Sequence, residues 1–222
     1  MQYHWNFAFL EQYVPLLERG TVVTLAFTGG TVFLGLVIGL LVGLGRLSRS
    51  KLLNAPLIAL VEAFRCTPLL VQIIWFYYAL PVLLHIQIPA IGAAVAVLSL
   101  YTGVFYAEIF RGGIVSIEAG QWDAARALGL SRWRMMRLVI LPQAVRRMVP
   151  PFVNQSITQL KNTSLVSVIA VPDLLYQGTI ITETTYKPLE VYTVVALIYF
   201  ALLFPSTILA QWYERKLAKG KK

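Results

Sequence analysis

Polar side chains able to bind a small solute are concentrated in residues 148–172, a stretch rich in amides and hydroxyls. Neutral amides and hydroxyls offer both hydrogen-bond donors and acceptors to a polar solute without burying an unpaired charge. Five of these residues share one side of a 3.6-residue helix: Gln155, Ser156, Gln159, Asn162 and Thr163. We therefore expect this side to form a polar lining.

Catalytic chemistry is not indicated by any motif. The sequence contains no Gly-x4-Gly-Lys-Ser/Thr, so it has no P-loop for ATP, and it has no nucleophile elbow or histidine-rich metal pattern. His4 and His85 are isolated, and the single cysteine, Cys66, allows no intrachain disulfide. We predict a non-catalytic protein without a metal or cofactor of its own.

Composition indicates an integral membrane protein. The chain has 222 residues, 58% hydrophobic and 13% charged, whereas soluble domains average about 25% charged residues. Its mean hydropathy is +0.69. The net charge of +9 does not predict nucleic-acid binding, because the cations lie between apolar blocks rather than on one basic face.

Long uncharged stretches predict an all-α, polytopic helical bundle in a single domain, residues 1–222. Gly35 and Gly39 suit close helix contact, and Pro68 predicts a kink at residues 65–68. The predicted segments are an interfacial helix at 1–20, five spans at about 21–45, 52–84, 86–110, 148–172 and 191–213, a cytoplasmic loop at 112–142, and a basic cytoplasmic tail at 214–222.

Hydropathy alone does not identify 148–172 as a span, but the distribution of charge does. With five crossings and the N-terminus outside, fifteen Lys and Arg residues lie on the cytoplasmic side, and only Arg19 and Lys187 lie outside. This arrangement satisfies the positive-inside rule and places the C-terminus in the cytoplasm. A polar helix within the membrane must face protein or water, so its polar side is predicted to line a pathway.

The cytoplasmic loop is predicted to contain two short amphipathic helices at residues 118–142. Gly129 can end the first helix in a left-handed cap, and Ser131 can N-cap the second. Trp122, Ala125 and Leu128 form an apolar stripe that must be buried. Amphipathicity alone favours packing against the chain's own membrane domain or the lipid interface.

The spacing within this loop is more specific. It reads Asp123-Ala124-Ala125, three residues, Gly129, nine residues, then Val139-Ile140-Leu141-Pro142. This pattern resembles the EAA loop of membrane subunits of ATP-binding cassette importers, with Asp123 in place of Glu and Val139 in place of Ile. In that family the loop forms the coupling helix that docks on the ATPase. The resemblance implies that coupling is carried by Gln121, Trp122, Asp123, Ala124, Ala125, Arg126, Leu128 and Gly129.

Further motifs look like the histidine, glutamine, glutamate and arginine branch of these permeases. They are Arg65-x-Thr67-Pro68-Leu69-Leu70-x-Gln72, Ala107-Glu108-x-x-Arg111-Gly112-Gly113-Ile114, Gly120-Gln121, Leu141-Pro142-Gln143-Ala144, Pro150-Pro151 and Lys161-x-Thr163-Ser164-Leu165. The resemblance implies the type I importer permease fold in a bacterial inner membrane. The implied partners are two ATPase subunits that bind ATP and Mg²⁺, a second permease subunit, identical or paralogous, an extracytoplasmic amino-acid-binding protein, and lipid. A departure is Asn162, where Asp or Glu is more usual.

The residues expected to contact the substrate are Arg65, Thr67, Tyr101, Thr102, Gly103, Gln159, Asn162 and Ser164. A structural ion pair with Glu62 is the stronger interpretation for Arg65, and pairing with a carboxylate on another helix is the stronger one for Lys161. Glu108 and Arg111 are spaced for a local ion pair.

Two other classes of function remain open from sequence. A gradient-driven secondary carrier or channel, acting as an oligomer, would need an intramembrane acidic relay and internal repeats. Only Glu62 lies well inside a span, and no convincing repeat is seen. A membrane scaffold would have no reason to keep a polar fourth span unless a partner covered it.

Overall fold

The computed structural model describes residues 4–48 and 50–219. Residues 1–3 of the predicted interfacial segment, the loop cation Arg49 and tail residues 220–222 lie outside the described residues. Every regular element in the described ranges is a helix. The helices are α1 (Ala8–Arg46), α2 (Lys51–Cys66), α3 (Leu69–Leu84), α4 (Ala90–Val115), α5 (Ala119–Ala127), α6 (Arg132–Ile169), α7 (Leu174–Thr185) and α8 (Pro188–Lys219).

Three of these helices, α1, α4 and α8, are long and apolar enough to cross a membrane. Two bent pairs, α2 with α3 and α6 with α7, bring the count to five if each pair is one span. The predicted number of five spans corresponds to this second count.

Several predicted boundaries do not interrupt the helices. The interfacial segment at 1–20 and the span at 21–45 are joined, because residues 8–46 form one helix that opens with a 3₁₀ turn at Ala8–Tyr13. The second helix of the cytoplasmic loop is likewise the first part of α6, and no short separate helix exists there. The sequence predicts more breaks than the structure has. Charged residues indicate where the chain leaves the apolar region, but a helix can continue across that boundary.

Small residues bring α1 and α4 into close contact. An added Cβ at Gly35 would lie 2.8 Å from Thr102 Cγ2, and one at Gly39 would lie 2.5 Å from Tyr106 Cβ. Gly103 on α4 faces Ile38 in the same way, at 2.6 Å. The prediction of close helix contact at Gly35 and Gly39 is confirmed, since larger side chains could not fit at this separation.

The chain turns sharply where α2 meets α3. The two helix axes differ by 109°, and the turn lies at Thr67 and Pro68, both in extended conformation. Pro68 cannot donate a backbone hydrogen bond, and the residue before a proline avoids helical geometry, so α2 must end there. The break predicted at residues 65–68 is present and is a corner rather than a mild kink.

Two π turns occur at equivalent places before prolines. Trp75–Ala79 precedes Pro81, and Met136–Ile140 precedes Pro142. A proline ring within a helix clashes with the carbonyl four residues earlier, and widening the preceding turn to a π turn gives that ring room. Both helices therefore continue through their prolines.

Helices α1, α7 and α8 meet around the start of α7, where the carboxylate of Asp173 is buried. Asp173 caps α7, because its Oδ1 accepts a hydrogen bond from the Tyr176 backbone N at 2.9 Å. Its Oδ2 accepts a hydrogen bond from the Tyr199 hydroxyl at 3.4 Å. On α1, Thr24 Oγ1 accepts from the Leu174 backbone N at 3.1 Å. These bonds satisfy polar groups that would be costly to bury alone.

Candidate functional site

The turn between α5 and α6 has a defined cap geometry. Gly129 has a φ of +67°, and its N donates to Arg126 O at 2.9 Å while Leu130 N donates to Ala125 O at 3.2 Å. These two bonds form a Schellman motif, which glycine favours because it adopts positive φ without a Cβ penalty. Ser131 then caps α6, accepting from the Arg134 backbone N at 3.4 Å. Both caps agree with the sequence prediction.

The apolar stripe of α5 is divided between two environments. Ala125 is buried and Trp122 is half-buried, and both pack in a cluster that includes Met135 and Ile140 of α6. Leu128, predicted to be buried with them, is 78% exposed. The helix therefore packs one face against its own chain and leaves the other face free.

The free face of the loop carries most of the predicted coupling residues. Exposed on it are Gln121, Asp123, Ala124, Arg126, Leu128 and Gly129. Asp123 accepts from Arg126 at 2.9 Å, but both side chains are well exposed, so this pair contributes little to stability. Nearby Trp133 is 71% exposed. An apolar surface of this kind, placed beside charges, is typical of a protein interaction site.

Glu108 joins two arginine side chains at the end of the bundle nearest this loop. It accepts from Arg111 at 3.1 Å, which is the predicted local pair. It also accepts from Arg46 Nη1 at the end of α1, a contact that sequence did not predict. The Glu108 side chain is 20% exposed and that of Arg46 is 11% exposed. The carboxylate therefore connects α1 to α4 in a largely desolvated place.

An open cleft of about 700 Å³ lies between α2, α4 and α6. We call it the α4–α6 cleft. Its charged and polar lining consists of Arg65, Glu108, Ser116, Arg147, Asn154, Gln155 and Thr158, and the rest is formed by Phe105, Ile109, Gly112, Gly113 and Pro151. Arg147 donates to the Ser116 carbonyl oxygen, which brings α6 against the end of α4. The cleft therefore extends to the end of the bundle that carries the loop.

Only one of the predicted substrate residues, Arg65, lines this cleft. Thr102, Gly103 and Gln159 are buried within the chain, and Gln159 Nε2 donates to Thr31 Oγ1 of α1 at 3.0 Å. Thr67 Oγ1 donates to Ala63 O at 2.7 Å. The structure thus places Thr102, Gly103 and Gln159 in helix packing rather than on an open surface.

The remaining predicted residues, Tyr101, Asn162 and Ser164, do not line the cleft. Tyr101 is half-buried on α4, four residues before the cleft residue Phe105. Asn162 is half-buried and its Nδ2 has no hydrogen-bond partner among the described residues. Ser164 Oγ donates to Lys161 O at 2.8 Å.

The polar residues of α6 belong to two faces, which corrects the prediction of a single polar side. Ser156, which shares a 2.7 Å hydrogen bond with the Tyr106 hydroxyl, lies with Gln159 and Thr163 on the face towards the chain's own helices. The cleft face recurs at helical spacing through Arg147, Pro151, Asn154, Gln155 and Thr158. Continuing this spacing reaches Lys161 and Asn162.

Two charged pairings expected from sequence have different outcomes. Arg65 donates to Glu62 at 3.1 Å, which is the ion pair that the structural interpretation requires. The carboxylate expected beside Lys161 is not there, because none of the described residues forms an ion pair with it. Lys161 is exposed on the α6 helix instead.

The sequence profile of the family described as "Binding-protein-dependent transport system inner membrane component" matches residues 35–219. The chain belongs to this family. As a binding-protein-dependent transport component with several apolar helices, it is a multi-pass membrane protein with the type I ATP-binding cassette importer permease fold.

Individual relatives in this family extend over nearly the whole chain. The glutamine transport system permease protein GlnP of Escherichia coli (strain K12) is 38% identical over 218 residues, 98% of this chain and 99% of the relative. The arginine transport system permease protein ArtQ of Bacillus subtilis (strain 168) is 35% identical over 208 residues, 92% and 93% of the two chains. A solved structure of an amino acid ABC transporter with histidines has a TM-score of 0.91 at 35% identity and covers 96% of this chain and 100% of its own.

Proposed function

We propose that this chain is the permease subunit of an importer that moves a polar amino acid across the bacterial inner membrane, with its N-terminus outside and its C-terminus in the cytoplasm. It works with a second permease subunit, two ATPase subunits that bind ATP and Mg²⁺, and an extracytoplasmic binding protein, and it does not itself hydrolyse ATP. Relatives named for glutamine and arginine transport support this class of substrate.

The observation that carries the proposal is the position of the loop relative to the cleft. The α4–α6 cleft extends to the end of the bundle that carries the exposed face of α5. The helix that follows the loop, α6, also supplies Asn154, Gln155 and Thr158 to the cleft. A displacement imposed on the loop would therefore reach the cleft through one helix, as ATP-driven alternation between two states requires.

The chemistry of the cleft suits a zwitterion. Gln155 and Thr158 provide donors and acceptors, and Arg65 provides a cation at the rim. Glu108 also lines the cleft, but its carboxylate is held by Arg46 and Arg111. We propose Gln155, Thr158 and Arg65, together with Tyr101 of α4 and Asn162 of α6, as the substrate-facing set.

The test is ATP-driven uptake by the assembled transporter in proteoliposomes. The complex is purified from its host through a tag on this chain. Uptake of glutamine, arginine, glutamate and histidine is then measured with ATP on the cytoplasmic side of the reconstituted complex. Gly129→Asp should abolish uptake while leaving the chain folded, because a Cβ at Gly129 meets nothing within 4 Å and Asp adopts positive φ at a smaller cost than most residues with a Cβ. The added charge would act on the ATPase contact.

Two controls distinguish a loss of uptake caused by charge at the docking turn from one caused by side-chain size or by added charge elsewhere in the chain. Gly129→Asn has a similar volume without charge, and we expect it to keep most of the uptake. Ser50→Asp adds the same charge to the exposed start of α2, outside the loop, and should leave uptake unchanged. Full uptake by Gly129→Asp would refute the coupling role. A complex without any ATPase that moves amino acids on an ion gradient would favour the secondary carrier instead.

A further inference from the structure

The corner between α2 and α3 leaves backbone carbonyls without the partners that a continuing helix would provide. The last four carbonyls of a helix have no intrahelical donor, and Pro68 supplies none from its own nitrogen. Such groups require another donor when they are removed from water. The donor here comes from the second helix.

Gln72, in the first turns of α3, reaches back to the end of α2. Its Nε2 lies 2.9 Å from Phe64 O, 3.0 Å from Thr67 O and 2.6 Å from Thr67 Oγ1. The Gln72 side chain is largely buried, 8% exposed, and its Oε1 has no hydrogen bond among the described residues. Donation to α2 is therefore what this amide contributes to the fold.

The position of α2 depends strongly on these bonds, because the helix packs weakly elsewhere. Of the sixteen residues in Lys51–Cys66, only Val61 is buried. In contrast, α3 is anchored, since Leu69 and Ile73 lie in a core cluster with Val97 and Leu98 of α4. Gln72 thus connects a weakly held helix to a firmly held one.

The residue that this connection places at the cleft is Arg65. It lies in the last turn of α2, beside the Phe64 carbonyl that Gln72 binds, and its side chain lines the cleft. A change in the angle at the corner would move the Arg65 guanidinium relative to α4 and α6. No other residue of α2 lines the cleft.

We propose that Gln72 is a positioning residue for transport: its side-chain amide fixes the α2–α3 corner and thereby holds Arg65 at the rim of the α4–α6 cleft. Gln72 does not contact the substrate and acts only through the end of α2. The transport part of this inference rests on the proposed function, and the structural part does not.

The sole cysteine of the chain provides a native reporter at this corner. Cys66 is exposed and lies between Arg65 and Thr67. A nitroxide attached to Cys66 in the assembled complex should give an electron paramagnetic resonance spectrum dominated by slow label motion. Gln72→Leu should add a component with fast label motion, because both amide donors are lost. Gln72→Met is the second apolar variant. Gln72→Asn, one methylene shorter, should shift the spectrum in the same direction if neither apolar variant assembles.

The matched control is Gln177→Leu on α7. Gln177 is also buried, 7% exposed, and its Nε2 donates to Pro172 O at 3.4 Å. This change removes a glutamine amide of similar burial away from the corner, so the Cys66 spectrum should stay as in the parent. Superimposable spectra for the parent and all assembled Gln72 variants would overturn the proposal.

The functional arm uses unlabelled protein and glutamine uptake at saturating, glutamine-loaded binding protein. Gln72→Leu should lower the uptake rate about fivefold, which corresponds to one net hydrogen bond. In an Arg65→Ala background the same change should lower the rate by less than about twofold, because the residue being positioned is gone. An undiminished effect in that background would show that Gln72 does not act through Arg65.

The two arms distinguish failure of this inference from failure of the proposed function. A spectral change without amino-acid uptake by the parent complex would leave the corner role intact and remove the transport assignment. Uptake by the parent, with neither a spectral nor a rate change in the variants, would keep the transport assignment and remove the corner role of Gln72.

Discussion

The strongest energetic prediction concerns Glu108, whose carboxylate accepts from Arg46 on α1 and from Arg111 on its own helix. Glu108→Gln preserves size and removes the charge. Two guanidinium groups then lie close together without a counter-charge, in a place where the Arg46 side chain is only 11% exposed. We expect a loss of stability that is larger than for any surface pair in the chain.

The magnitude follows from the burial of the partners. Breaking a fully buried ion pair by removing one partner costs about 3–5 kcal/mol, whereas an exposed pair contributes about 0–1 kcal/mol. The contact between Glu108 and Arg46 lies near the buried limit, at 20% and 11% exposure. The Arg111 side chain is 35% exposed, so its share is small. We expect about 2–3 kcal/mol in total for Glu108→Gln.

The assay is a double-mutant cycle on thermal unfolding in mild detergent, followed by tryptophan fluorescence. Glu108→Gln should lower the Tm by roughly 5–10 °C, from about 2–4 °C per kcal/mol for a chain of this size. Glu62→Gln is the matched control, since it removes a carboxylate from an i,i+3 pair whose side chains are 42% and 48% exposed. Its Tm should stay within about 4 °C of the parent.

The cycle is completed by Arg46→Gln and the double variant. If the two charges stabilise each other, the double variant should be less destabilised than the sum of the single variants, by about 1–2 kcal/mol. Additive losses would mean that Arg46 and Glu108 do not interact in the folded protein. The connection between α1 and α4 would then rest on the glycine contacts alone.

Substitutions at three further sites test packing, capping and selectivity. Gly39→Leu should prevent close packing of α1 on α4 and give an aggregated gel-filtration profile, whereas Gly30→Leu, with nothing within 4 Å of its Cβ, should elute as the parent. Asp173→Asn can still accept from Tyr176 N and should change the Tm little, while Asp173→Leu should lower the free energy of unfolding by about 1–2 kcal/mol. Asn162→Asp should shift competition uptake towards arginine over glutamine; an unchanged ranking would exclude Asn162 from the site.

Local chemistry could be predicted from sequence because it depends on neighbouring residues. Gly129 and Ser131 determine the caps of the loop through backbone conformation and side-chain reach, and Pro68 ends α2 because it lacks a donor. The pair Gly35 and Gly39 indicated close helix contact in the same way. Each of these predictions needed fewer than ten residues of sequence.

The faces of α6 could not be assigned from sequence because polar residues occur on both of them. Gln159 is bonded to Thr31, 128 positions away, while Asn154 and Thr158 line the cleft. Helical periodicity reports which residues share a side, but a side that bonds to another helix and one that faces a cavity have the same composition. The pair of Arg46 with Glu108 could not be predicted either, because its partners are 62 positions apart and lie on different helices.

The structure also favours joint movement of the loop and the α6 wall of the cleft. The Schellman turn joins α5 directly to α6 without a flexible linker, and α6 is helical from Arg132 to Ile169. Its π turn at Met136–Ile140 packs in the same cluster as Ala125 of α5, so the first part of α6 is held on two sides. A force applied to the exposed face of α5 would therefore move Asn154 and Thr158 with it, whereas Arg65, held through the α2–α3 corner, would respond separately.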